Sequence, residues 1–153
     1  MEKLANAGVN GVRQLSGMEF YHIERLLSRN PPFGQHLLRS IAGFPVLKIN
    51  IDIMKKEEVS GEEGTQLPCW IARVIIGFEN TKMPSWKNKR PWTTLVIEGE
   101  DGRLLWFWRG SVQRIQGEKE LHVNLYASKG ELIKVLFACE GIVGTSVRES
   151  FQL

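Results

Sequence analysis

Between residues 81 and 92 the chain places Lys82, Lys87, Lys89 and Arg90 around Trp86, with no acidic residue among them. Lysine and arginine neutralise phosphates, and an exposed indole between them could stack on an unpaired base, so this stretch is a candidate nucleic-acid contact. The alternative is a solvated connection whose Trp86 folds back onto the domain. Arg29 and Arg39, farther toward the N-terminus and accompanied by Arg25, could add cations to such a surface.

A second candidate is Leu104-Leu105-Trp106-Phe107-Trp108-Arg109-Gly110. In a strand, Trp106 and Trp108 share one face while Phe107 and Arg109 share the other. One face belongs to the core. The other exposes either a tryptophan pair or a phenylalanine beside an arginine, both compositions typical of protein-interface hot spots. A buried arginine needs a paired anion, so Arg109 is expected at the surface. Trp106, Trp108 and Arg109 are therefore the expected protein-interaction residues.

Catalytic constellations are missing from the sequence. There is no phosphate-binding G-x-x-x-x-G-K-[ST] loop, no H-E-x-x-H and no G-x-S-x-G elbow. His22, His36 and His122 lack metal-ligand spacing, and the carboxylates fall in turns and charged loops. The segment is expected to have no catalysis, metal or cofactor of its own. Cys69, Trp92 and Cys139 mimic the Cys…Trp…Cys order of immunoglobulin domains, but residue 137 is Phe where a tyrosine corner would stand. Reduced core thiols are expected.

The elements that must position these residues are legible from periodicity. The chain has 153 residues, 42% hydrophobic and 24% charged, with a formal net charge of +3, the profile of one globular unit. No apolar run approaches the ~20 residues that span a bilayer, and the first residues lack an apolar leader core, so an intracellular setting is expected. Short Gly-broken helices are predicted up to residue 45, over Lys3–Ala7, Glu19–Leu27 and Phe33–Ala42, with a turn at Gly8–Gly11. From Val46 the period changes to two: Leu47, Ile49, Ile51 and Ile53 alternate with polar residues. Strands are predicted over Cys69–Gly77, Trp92–Glu98, Arg103–Arg109, Glu120–Tyr126, Glu131–Cys139 and Thr145–Gln152. Glu57–Gln66 reads as a charged loop and Gly99-Glu100-Asp101-Gly102 as a hairpin. The expectation is an α+β fold: a short helical cap, residues 1–45, packed on a seven-stranded immunoglobulin- or fibronectin-like sandwich, residues 46–153, around one core.

These segments have a family resemblance. Leu4-Ala5-Asn6-Ala7-Gly8-Val9, the Arg29-Asn30-Pro31-Pro32-Phe33-Gly34 knuckle and Leu37-Leu38 resemble the helical, helix-hairpin-helix-like part of the Sec-sixty-three homology unit. That unit follows the helicase cassette in large superfamily-2 helicases. Leu104–Gly110 and the closing Ile142-Val143-Gly144 turn resemble the sandwich that ends it, and the knuckle is most similar to that of meiosis-specific crossover DNA helicases. The long helical domain that precedes this part in the fuller pattern is mostly absent. The resemblance implies a nuclear protein with an ATP-dependent helicase cassette upstream in cis. It further implies docking of the sandwich onto a MutL-type mismatch-repair heterodimer, with DNA as a second candidate partner and no membrane role.

Overall fold

In the computed structural model, residues 6–8, 11–57 and 68–153 are described. Most of the predicted Lys3–Ala7 helix and of the Glu57–Gln66 loop lies outside them. The described chain is mainly β, with three short helices: α1 (Val12–Ser16), α2 (Phe20–Leu27) and α3 (Phe33–Ile41). The strands are β1 (Leu47–Glu57), β2 (Cys69–Phe78), β3 (Trp92–Glu98), β4 (Leu104–Ser111), β5 (Lys119–Tyr126), β6 (Leu132–Cys139) and β7 (Val147–Gln152), with a 3-10 turn at Val112–Ile115.

Two antiparallel sheets form, in the orders β1-β2-β5 and β4-β3-β6-β7. Their facing sides meet in one cluster. Leu47, Val74, Ile76, Val123 and Leu125 come from the first sheet; Leu95, Ile97, Ile133, Val135 and Phe137 come from the second. The alternation follows from the strand period of two, which sends every second side chain to the same side. Along β1 it fails at the far end. The register shifts between Ile53 and Lys55, and Met54 and Ile53 are exposed, because this edge strand runs on past the core and bulges.

The helices do not join that cluster. Ile23 and Ile41 are buried outside it, in contrast to the single shared core expected from the sequence. The helical segment is fastened to the sheets by Phe44, which packs against the cluster just after the last helix, and by polar ties. Asn80 accepts from the Val46 amide at 2.7 Å and donates to the Phe44 carbonyl at 2.9 Å, and Arg13 pairs with Glu79 at 2.9 Å. The Ser85 amide donates to the Gly43 carbonyl at 2.8 Å. A segment this short has too little apolar area to build a large core of its own.

The predicted 99–102 hairpin is present and is locked by Glu131, a nearly buried carboxylate. It accepts from the Ser128 amide at 2.9 Å and from Arg103 Nη2 at 3.1 Å, tying the β3–β4 turn to the β5–β6 turn. Replacing it strands the Ser128 amide and removes the buried anion from Arg103, which keeps only Asp101 and the Tyr126 carbonyl among the described residues. Glu131→Ala is expected to lower stability by about 2 kcal/mol, read as a reduced urea midpoint with an unchanged slope.

Cys69 and Cys139 are buried free thiols, and the topology keeps them apart. Cys69 opens β2 opposite Tyr126, whereas Cys139 closes β6 opposite Thr93, beside the loop that follows the other end of β2. The 10 residues of β2 span about 30 Å at ~3.3 Å each, far beyond disulfide reach. The immunoglobulin-type Cys…Trp…Cys pairing is thereby excluded. Burial pushes the Cys139 thiol up to about 11.

Candidate docking surface and basic loop

The outward face of β4-β3-β6-β7 is set by register. Val96 lies between Phe107 on β4 and Leu136 on β6, and Leu136 is in turn opposite Arg148 on β7. An apolar stripe therefore crosses the sheet, ending at Phe107, which is 53% exposed. Beside it lies a shallow trough of about 520 Å³ with Val96, Leu132 and Leu136 in its lining and Glu98, Lys134 and Arg148 among its charged residues.

One end of this face is organised around Arg109. Thr94 is its direct partner on β3, so Trp92 is its diagonal neighbour, and the guanidinium carbon stands 4.4 Å from the centre of the Trp92 ring. The fork continues to Glu140, with Nε donating to Oε1 at 2.6 Å and Nη2 to Oε2 at 2.9 Å. Two strands and the turn just past β6 thus hold one solvent-exposed cluster, with Trp92 itself 43% exposed. The hydrogen bonds from Arg109 keep the Glu140 carboxyl below the ordinary glutamate range, against a smaller opposing effect of burial. A depressed folded-state pKa means that the pair's contribution is present above the unfolded glutamate value and is lost as pH falls through the lower folded one. A carbon-detected NMR titration is expected to place the Glu140 midpoint below the ordinary glutamate range, and Arg109→Met to raise it.

Of the three expected interaction residues, only Arg109 is on this face. Trp106 and Trp108 point the other way and pack half-buried against the core. Trp108 leans over Gly110, where an added Cβ would come within 2.6 Å of its ring, and Trp106 Nε1 is buried without a hydrogen-bond partner among the described residues. Phe107 takes their place outside. Glu140, Val96 and Leu136 were not singled out from the sequence, and Trp92 was noted only for its place between the two cysteines. The signal that could have found them is the pairing of Trp92–Glu98 and Glu131–Cys139 with the Trp-rich strand.

The basic loop departs from its expected form at Trp86. Trp86 and Lys89 exchange backbone hydrogen bonds of 3.0 and 2.9 Å, closing a two-residue turn in which Lys87 and Asn88 have φ of 50° and 59°, a type I′ geometry. The indole is half-buried, edge-on to Phe44 with ring centres 6.5 Å apart, and the Lys87 ammonium sits 4.5 Å over its face. Trp86 is therefore an anchor for the loop, not an open stacking platform. Lys82, Lys87, Lys89 and Arg90 are exposed. Arg29 is exposed with its guanidinium 5.3 Å over the Phe33 ring, and Arg39 is exposed in the last turn of α3.

No family model matches the chain. Over 141 residues, 82% of its length, it is 18% identical to the human protein named "Probable ATP-dependent DNA helicase HFM1", of which it spans about a tenth. This is a helicase-related similarity. Among solved structures it overlaps 69% of its length with 17% of a Bifidobacterium dentium β-glucuronidase, at TM-score 0.47 and 9% identity. A Ruminococcus gnavus β-glucuronidase gives 71% and 16%, at TM-score 0.36 and 14% identity. At these scores the overlaps carry no weight for fold or function.

Proposed function

We propose that this chain is a non-catalytic accessory domain of a nuclear, meiotic DNA helicase. On this reading it acts as a protein-docking module for crossover recombination through the outer face of β4-β3-β6-β7. The observation that carries the reading is the Arg109–Trp92–Glu140 cluster beside exposed Phe107. An arginine already fixed by a bidentate carboxylate and an aromatic ring gives up little side-chain entropy on binding, and Arg and aromatic residues dominate hot spots. The strand orders β1-β2-β5 and β4-β3-β6-β7 support a fibronectin- or immunoglobulin-like sandwich, with residues 1–45 as its helical cap. The helicase similarity supports the cellular setting and an ATPase cassette elsewhere in the full-length protein.

The partner proposed from the family resemblance is a MutL-type mismatch-repair heterodimer. Titrating the purified chain into that purified heterodimer by calorimetry tests it. Saturable binding at micromolar concentration or tighter supports the assignment, and no heat or complex at tens of micromolar removes that partner.

A further inference from the structure

The end of the molecule that carries the basic loop gathers more cations than the loop supplies. The Val112 amide donates to the Pro91 carbonyl at 3.0 Å, which sets the 3-10 turn and its exposed Arg114 against the loop's C-terminal end. At the other side of the loop, the Ser85–Gly43 hydrogen bond brings in the end of α3, whose last turn bears Arg39. Lys82, Lys89, Arg90, Arg114 and Arg39 have no ion-pair partner among the described residues. The acids nearest in the chain are already engaged: Glu79 with Arg13, Glu118 with Lys48 and Glu140 with Arg109. The positive field there is uncompensated from within.

The kind of anion it fits follows from what else is exposed. Besides the cations, the exposed loop side chains are Thr81, Ser85 and Asn88, all small and hydrogen-bonding, while Pro84 is buried and Met83 and Trp86 half-buried. A docked protein segment would call for an apolar or aromatic anchor. Cations interleaved with small polar groups suit a phosphate backbone. With Trp86 turned inward, the 81–90 loop itself offers bases no stacking site.

The geometry points to this end as a sequence-independent site for the sugar–phosphate backbone of nucleic acid, built from the 81–90 loop, Arg114 and Arg39. It stands apart from the docking reading, since it uses none of the Arg109 cluster. Binding through phosphates alone follows counterion release, with a slope of log K against log salt of about −0.9 per duplex phosphate neutralised. Four contacts weaken binding about a hundredfold between 50 and 200 mM salt.

The test is fluorescence anisotropy of a labelled duplex and of a labelled single strand, each in two unrelated sequences, across that salt range. The triple variant Lys89→Ala, Arg90→Ala, Arg114→Ala is compared with Lys55→Ala, Lys56→Ala, Lys129→Ala, which removes the same formal charge from the opposite end. The expected result is at least a tenfold loss and a slope shallower by about 2 to 3 for the first triple. The second is expected within twofold of the unmodified chain, with little difference between the sequences. Equal losses for the two triples, or no binding at 50 mM salt, would overturn the site. So would tighter binding of a poly-glutamate competitor than of the duplex, which would reassign the surface to an acidic protein.

Discussion

Arg109→Glu is expected to abolish capture of the docking partner while leaving the domain folded. The side chain is exposed, so losing its bonds to Glu140 and its contact with the Trp92 ring costs the fold a solvent-screened pair and a ring contact. At the surface the effect is larger. The substitution removes the cation, sets a second carboxylate beside Glu140 and uncovers Trp92. Hot-spot arginines are worth 2 kcal/mol or more, which is about a thirtyfold loss of affinity before like-charge repulsion is added. Arg109→Met, which keeps much of the cover over the ring, is expected to lose less. If Arg109→Glu bound as tightly as the unmodified chain, the cluster would be a structural clasp and the docking surface would lie elsewhere.

Gly34→Ala is expected to be the most damaging small substitution in the helical segment. An added Cβ would stand 2.1 Å from the Phe20 carbonyl oxygen and 2.8 Å from its carbon. Two tendencies compete. Alanine in place of a helical glycine favours the helix by about 1 kcal/mol. Against this, α2 and α3 would have to separate by more than an ångström at their point of closest approach. Overpacking against backbone, which cannot rotate away, costs about 1–3 kcal/mol and is the larger effect. The expected outcome is a net loss of up to about 2 kcal/mol, accompanied by faster amide exchange in Phe20–Leu27 and Phe33–Ile41 with little change in the sheets. A more stable protein would mean that α2 and α3 are free to slide apart.

These expectations indicate which parts of the molecule were legible in the sequence. The strands were, because alternating apolar residues bounded by Gly-rich turns leave few alternatives. Trp92–Glu98 has the predicted bounds, and β4 and β6 each begin within a residue of theirs. The two faces of Leu104–Gly110 followed from the same rule. Which face is outward did not, since that depends on the partner sheet covering Trp106 and Trp108. The Arg109 cluster was invisible for a related reason. Arg109 and Trp92 lie on different strands and Glu140 in the turn just past β6, and only the register sets them side by side. Trp86 could be read as platform or anchor until Phe44 was found against it. Arg114 joins the basic end through one hydrogen bond between Val112 and Pro91 that no sequence pattern announces.

The most direct test of the proposed docking face is a hydrogen-exchange footprint of the chain with and without the MutL-type heterodimer at saturating concentration. The account predicts new protection in Trp92–Glu98, Leu104–Ser111 and the residues around Glu140, with β1, β2 and β5 unchanged. Protection confined to the β1-β2-β5 sheet or to α2 and α3, in a complex that does form, would contradict it.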